Sequence, residues 1–197
     1  MSQAFALPQR VTISAFDSFL AGQCDDGSWE LIDRGVVAMT NPSLAHEEIV
    51  GNINAALRAV MPADRRCRVA VGGVRVQASD DDRGLYAPRP DVMVWCGPMQ
   101  AERNFVTTPM IIVEVLSPSS MDNARGGKLR FYKSSFQTLR QIVLVYQDQR
   151  RVEAYYRADL GWEPRTLIHP AETLEFPALV AGMTLSDIYE GVELPTG

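Results

Sequence analysis

Cysteine is scarce in this sequence, and its few residues follow no metal-binding pattern. The 197 residues include 3 cysteines, Cys24, Cys67 and Cys96, which are widely spaced and form no Cys-x-x-Cys pair. Structural zinc sites and disulfide frameworks require closely and regularly spaced cysteines. The composition supports neither, and it predicts reduced thiols in a cytoplasmic protein.

Long apolar runs and a secretory leader are also missing. No stretch approaches the roughly 18 uninterrupted apolar residues of a membrane helix. The first 20 residues lack the basic start, apolar block and cleavage site of a signal peptide. We therefore expect no membrane partner. With 46% hydrophobic and 22% charged residues, the chain is predicted to form a single domain over residues 1–197.

An excess of positive charge is absent as well. The formal net charge is −5, whereas proteins that bind nucleic acids usually carry a cationic footprint. Basic residues do cluster around positions 58–68, 125–133 and 150–157. Each cluster is either solvated surface or part of a basic groove on an acidic body.

Predicted strands and helices are interspersed along the chain. In order, they are a helix at 10–21, a β-hairpin at 29–39, a helix from 44 to just before 62, strands at 68–71, 73–77, 91–96 and 110–116, a helix at 122–136, strands at 141–146 and 152–157, and short strands with a helix at 185–189 in the tail from 166 to 192. The strand–helix–strand unit at 111–146 predicts a partly parallel sheet. The fold class is therefore mixed α/β.

Two acidic residues occupy unusual positions in this pattern. Glu114 lies inside the run Met110–Leu116, which is apolar on both faces of a strand and so is covered on both sides. Asp91 follows Pro90 and opens a second such run. Each residue also has a simpler interpretation. Glu114 could be a polar position on an edge strand, and Asp91 could be a turn residue. Together, the two carboxylates predict a Mg²⁺ or Mn²⁺ site, because such ions prefer oxygen ligands.

Four further residues complete the set of candidates. Lys128 and Tyr132 are one helical turn apart, so they project from the same side of the helix. Lys128 either stabilises charge near the acids or is a surface residue. Tyr132 is predicted to be a core residue. Glu30 shares a strand face with Ile32, and His46 lies on the inward stripe of its helix. Glu30 is either inward-facing or solvated, and His46 is either a buried histidine or a site residue.

The strings Arg89-Pro90-Asp91-Val92 and Val113-Glu114-Val115-Leu116-Ser117-Pro118-Ser119, followed by Lys128 and Tyr132, resemble the restriction-endonuclease family called Uma two. That family is a branch of the PD-(D/E)XK nuclease-like superfamily, and the resemblance runs through most of the chain. It implies a restriction-endonuclease-like fold: a central mixed β-sheet flanked by helices, here with an N-terminal β-hairpin.

The same resemblance implies roles for individual residues. Asp91 and Glu114 would bind the metal, Lys128 would be the third catalytic residue, and Glu30, His46 and Tyr132 would be secondary candidates. The chain departs from the superfamily pattern at Leu116, where a lysine is expected, and Lys128 would replace that lysine. DNA would be the partner, and family members commonly form homodimers.

The leading hypothesis is a Mg²⁺- or Mn²⁺-dependent endonuclease that hydrolyses DNA phosphodiester bonds. The alternative is a catalytically inactive binding or scaffold protein with the same fold, which the acidic charge and the displaced lysine favour. A third option is a glycosidase with a pair of catalytic carboxylates, which would require aromatic residues around the acids to stack on a sugar.

Overall fold

A six-stranded mixed β-sheet forms the centre of the protein in a computed structural model. The structure describes residues 11–23, 28–39, 41–63, 66–78, 86–97, 105–118 and 124–195. The helices are α1 (Ile13–Ala21), α2 (Leu44–Ala59), α3 (Leu129–Ser135) and α4 (Leu185–Ile188), with a π-helix at Ala124–Lys128 and a 3₁₀ turn at Pro177–Leu179. The strands are β1 (Trp29–Ile32), β2 (Gly35–Ala38), β3 (Cys67–Val71), β4 (Arg75–Val76), β5 (Val92–Cys96), β6 (Phe105–Val106), β7 (Pro109–Leu116), β8 (Gln141–Tyr146), β9 (Val152–Ala158), β10 (Gly161–Leu167), β11 (Thr173–Phe176) and β12 (Ala181–Thr184).

The central sheet has the order β10-β9-β8-β7-β5-β3, so β7 lies in its interior. β7 pairs in parallel with β8 and antiparallel with β5, as the predicted strand–helix–strand unit requires. Each face of the sheet has its own core. Ile111, Val113 and Val115 pack under α2 on one face, and Ile112 and Leu116 pack with α3 on the other. The apolar residues on both faces of β7 are thus explained by burial on both sides.

The N-terminal hairpin β1–β2 lies outside the main sheet. Asp33 and Arg34 form its turn with φ of 47° and 62°, the mirror-image turn conformation that suits the twist of a two-residue hairpin. Gly35, which was expected in the turn, begins β2 instead. The hairpin is joined to the main body by an antiparallel bridge between Leu31 and Ala87, and α1 covers its apolar side.

Several predicted boundaries differ from the observed ones. The predicted helix at 122–136 is a π-helix followed by the short α3, and Asp122 lies outside the described residues. The predicted strand at 73–77 is reduced to β4, which pairs with β6. β10 was not predicted. It contains Pro164, and proline is found in strands almost only at sheet edges. The structure places β10 at the edge of the central sheet.

The expectation of three reduced thiols is wrong for two of them. Cys67 and Cys96 are directly opposite each other on β3 and β5, and their sulfur atoms form a disulfide of 2.03 Å. The two cysteines are 29 residues apart in sequence, and that spacing carries no information on strand register. Cys24 lies outside the described residues. None of the helices that the structure describes is long and apolar enough to cross a membrane.

Titration of thiols in the unfolded, unreduced protein is expected to give two fewer reactive groups than titration after reduction. Replacing Cys67 and Cys96 together by serine should lower the free energy of unfolding by about 3 to 4 kcal/mol, because the unfolded chain loses a cross-link. Reduced wild-type protein serves as the control and should match the variant in urea unfolding. Equal thiol counts before and after reduction would contradict the disulfide.

Candidate active site

Asp91 and Glu114 face each other across two neighbouring strands. Val92 on β5 is the partner of Val113 on β7, so one further step along this antiparallel ladder places Asp91 opposite Glu114 with both side chains on the same face. The Asp91 carboxylate also accepts a hydrogen bond from the Val115 backbone N–H, with N···Oδ2 of 2.7 Å. Sheet register therefore brings the two predicted acids together.

Lys128 reaches these acids from the π-helix that precedes α3. Its Nζ lies 2.8 Å from Glu30 Oε1, and 3.5 Å and 3.4 Å from the two carboxylate oxygens of Glu114. The side chain is buried, so Lys128 is not a surface lysine. π-Helical turns are rare and often occur at functional sites, and this one turns the lysine towards the sheet.

Glu30 is buried beside Lys128 rather than solvated on the hairpin. Its Oε1 accepts hydrogen bonds from Lys128 Nζ and from the Arg89 backbone N–H, each at 2.8 Å. Because the hairpin is joined to the main body beside Ala87, Glu30 is held in a defined position. It orients Lys128 and has no contact with Asp91 among the interactions of the described residues.

His46 approaches Asp91 from the first turn of α2. Its Nε2 lies 3.2 Å from Asp91 Oδ1, and its Nδ1 lies 3.5 Å from Glu47 Oε1. Burial lowers the pKa of His46, but the two carboxylates outweigh this effect and raise it above the usual 6.5. The N-cap at Ser43 accepts from the His46 backbone N–H and so places the ring at the helix start.

Tyr132 is both a core residue and a partner of the site. Its ring is completely buried with the α3-side core, as predicted from the helical spacing. Its hydroxyl group also donates a hydrogen bond of 2.5 Å to Glu114 Oε1, which periodicity alone did not reveal. The π-helix and α3 thus provide two donors to a single buried carboxylate.

The electrostatics of the site are dominated by burial and by an excess of acids. Burial, helped by the charges of Asp91 and Glu30 and opposed by Lys128 and the Tyr132 hydroxyl group, raises the pKa of Glu114 to about 7. Burial lowers the pKa of Lys128, but Glu114 and Glu30 reverse that effect, so the lysine stays protonated. Three carboxylates thus surround one permanent cation, and a second cation would be stabilised there.

The donor set at the site fits a hard divalent cation. Among the described residues, no group of three His, Cys, Asp or Glu side chains could hold a metal ion alone. Mg²⁺ is usually bound by one or two carboxylates, with waters and substrate phosphates in its other positions. Asp91 and Glu114 match that requirement, because Glu114 Oε2 and Asp91 Oδ2 each accept one hydrogen bond and keep a second lone pair.

Sequence reasoning overlooked Arg89 at this site and Glu153, which lies two strands away from Glu114. Arg89, within the string that carries the resemblance, supports Glu30 through its backbone N–H. Glu153 on β9 is also buried and accepts hydrogen bonds from Tyr146 and Arg151 at 2.9 Å each. Its apolar neighbours along β9 could have indicated it by the same argument that singled out Glu114.

The chain is similar to one protein family and to two proteins from Synechocystis sp.. The model of the Uma2 family, described as "Putative restriction endonuclease", matches residues 16–187. "Uncharacterized protein slr1290" from Synechocystis sp. is 32% identical over 104 residues, which cover 52% of this chain and 54% of the relative. "Uncharacterized protein sll1609" from the same organism is 27% identical over 151 residues, or 75% of this chain and 82% of the relative. The match thus spans about half the length of the first relative.

A crystal structure described as a putative nuclease belonging to DUF820, from Anabaena variabilis, has a similar fold. It superposes with a TM-score of 0.69 at 18% identity and covers 90% of this chain and 98% of that one. This likeness confirms the predicted fold class of a central mixed sheet flanked by helices. Since the family model extends over most of the sequence, the chain belongs to the Uma2 family.

Proposed function

We propose that this protein is a nuclease that uses Mg²⁺ or Mn²⁺ to hydrolyse phosphodiester bonds in DNA. The observation that carries the proposal is the pair formed by Asp91, directly before β5, and Glu114 on β7, with the ammonium group of Lys128 beside Glu114. The family description of a restriction endonuclease supports nuclease activity with DNA as the substrate. We further propose that residues 1–197 act as one nuclease domain.

Asp91 and Glu114 are the residues that would hold the metal ion. A bound Mg²⁺ or Mn²⁺ would supply Lewis-acid chemistry, lowering the pKa of an attacking water and stabilising charge on the phosphate. The protein orients the two carboxylates in advance. Asp91 is fixed by the Val115 N–H and by His46, and Glu114 by the Tyr132 hydroxyl group. Such supporting contacts usually govern how well ligands bind a metal.

Lys128 is the residue that we expect to contact the phosphate or the attacking water. A protonated amine beside the acids stabilises the negative charge that develops as the phosphodiester bond breaks. Leu116, at the position where the superfamily pattern has lysine, is buried in the α3-side core. The separation of Lys128 from the motif in sequence is no obstacle, because its Nζ lies 3.4 Å from Glu114 Oε2.

A catalytically inactive scaffold with this fold is the second candidate. The net charge of −5 favours it, because acidic proteins repel a polyanion. The buried cluster argues for the enzyme, because buried ion pairs seldom stabilise a fold more than well-packed apolar residues would. The glycosidase option is weaker, because of the two aromatic residues near the acids in sequence, Trp95 is buried in the core and Tyr86 already stacks on Phe131.

Two further expectations are part of this proposal. A homodimer would place two sites on one duplex, as expected from the resemblance. A cytoplasmic location would follow from a DNA substrate. Reduced thiols no longer support that location, because Cys67 and Cys96 form a disulfide and disulfides are rare in most cytosolic proteins.

Glu114→Gln and Asp91→Asn should each reduce Mn²⁺-dependent nicking of a supercoiled plasmid by at least about a thousandfold, because each removes a charged metal ligand. The matched control is Glu163→Gln, since Glu163 is an exposed acid on β10 and its replacement should leave nicking unchanged. Wild-type protein that does not nick the plasmid, or that nicks it no faster than Glu114→Gln, would refute nuclease activity.

Lys128→Met should lower kcat by about a hundredfold or more, because it removes the stabilising cation, and Glu30→Gln should lower it by about ten- to a hundredfold. Because Glu30 acts through Lys128, Glu30→Gln should have little further effect in the Lys128→Met variant. Multiplicative effects of the two substitutions on single-turnover rates would show that Glu30 has an independent role.

Binding of Mn²⁺ should weaken as the pH falls below about 7. The pKa of Glu114 is raised to about 7, so the carboxyl group is largely ionised at pH 8 and largely protonated at pH 6, and a neutral carboxyl group is a poor ligand. The dissociation constant measured by calorimetry should rise by about tenfold per pH unit below the pKa. His46→Gln should retain this dependence, and Glu114→Gln should bind weakly at both pH values.

A further inference from the structure

The side chain of Arg89 lies beside the acid cluster and is anchored by the hairpin. Its backbone N–H donates to Glu30 Oε1 at 2.8 Å, and its Nη1 donates to Ser28 Oγ at 3.0 Å. Ser28 and Glu30 are two residues apart on the hairpin, so their side chains share one face. The guanidinium group therefore lies on the same side of the hairpin as the carboxylate that orients Lys128, and the charge of Glu30 acts on it.

One edge of this guanidinium group has no acceptor among the described residues. Nε of Arg89 is buried without a hydrogen-bond partner, and Nη1 is the atom that bonds to Ser28. Other arginines differ in this respect. Arg75 is paired with Asp17 at 2.7 Å, and Arg151 with Glu153 at 2.9 Å. Buried donors are normally satisfied, so an unpaired Nε–H next to a proposed active site requires an explanation.

The free edge has the geometry of an anion-binding fork. Nε–H and the adjacent Nη2–H of an arginine point the same way and match two oxygens of a phosphate. The site also needs such a group, because the whole chain has a net charge of −5 and the nearby carboxylates repel a polyanion. The Arg89 guanidinium group forms no ion pair among the described residues, although the charge of Glu30 acts on it, so it would offset this repulsion locally.

We propose that the Nε–Nη2 edge of Arg89 binds a phosphate of the DNA backbone next to the phosphate that is cleaved. This inference rests on the proposed function and adds a substrate contact to it. Arg89 touches neither the metal ligands nor Lys128 through its guanidinium group, so it acts in binding and register rather than in bond cleavage. Ser28 keeps the fork oriented through Nη1.

The test is the salt dependence of binding to a fluorescein-labelled 20-base-pair duplex, with Ca²⁺ in place of Mn²⁺ and the absence of cleavage checked on gels. Arg89→Gln should weaken binding by about five- to fiftyfold and reduce the slope of log K against log [KCl] by about 0.9, the value for one lost phosphate contact. Arg89→Lys should keep the slope, because it keeps the charge.

The matched control is Arg140→Gln. It removes the same charge from an exposed position directly before β8, whereas Glu114 is paired with Leu144 further along that strand. This substitution should change neither the affinity for DNA nor the salt slope. Thermal unfolding of each variant checks folding, and Arg89→Met replaces Arg89→Gln if the latter does not fold. A set of duplexes, each with one phosphate replaced by a neutral methylphosphonate, locates the contact. One of these replacements should weaken binding by the wild-type protein and leave binding by Arg89→Gln unchanged.

An Arg89→Gln variant that binds with the wild-type slope would overturn the phosphate contact, even if it cleaves DNA more slowly. The proposed function is tested by a different measurement. If it is wrong, wild-type protein will not nick DNA with Mn²⁺, and the salt slope of DNA binding will still test the role of Arg89. A reduced kcat with unchanged KM and slope would assign Arg89 to supporting the hairpin alone.

Discussion

The carboxylate of Glu114, buried in a strand that is covered on both sides, is the constraint on which the rest of the site depends. An ionised carboxylate in such a place costs several kcal/mol, roughly, unless other groups compensate it. Tyr132 and Lys128 provide the hydrogen bonds, but Lys128 is then itself a buried charge. Glu30 stabilises that charge from the hairpin. One buried acid therefore links β7, the π-helix and the hairpin in a single polar network.

Asp91 extends this network to the start of β5 and to α2. Its contacts with the Val115 N–H and with His46 tie the start of β5 to β7 and to the first turn of α2. Each element around the site contributes one polar side chain, and none could form the cluster alone. Because the acids outnumber the cations, the same arrangement that holds the elements together would also suit the divalent ion that we propose.

The placement of charge matters more for this protein than its total. A net charge of −5 suggests a poor partner for DNA, but the field that a substrate meets is set by the groups next to the site. Lys128 is neutralised by Glu30 and Glu114, whereas Arg89 has an edge without an acceptor among the described residues. An acidic chain can therefore present a local cation beside the proposed active site.

The sequence by itself determined the strand carrying Glu114, the strand opened by Asp91, the helix beginning near Leu44 and the family, because side-chain periodicity and short motifs are local properties. Only the tertiary structure decided that Glu30 meets Lys128 across 98 residues, that Cys67 pairs with Cys96 and that Tyr132 bonds to Glu114. These contacts depend on strand register and on the turn of a π-helix. Neither leaves a pattern in residue spacing, because each is set by how separate elements pack together.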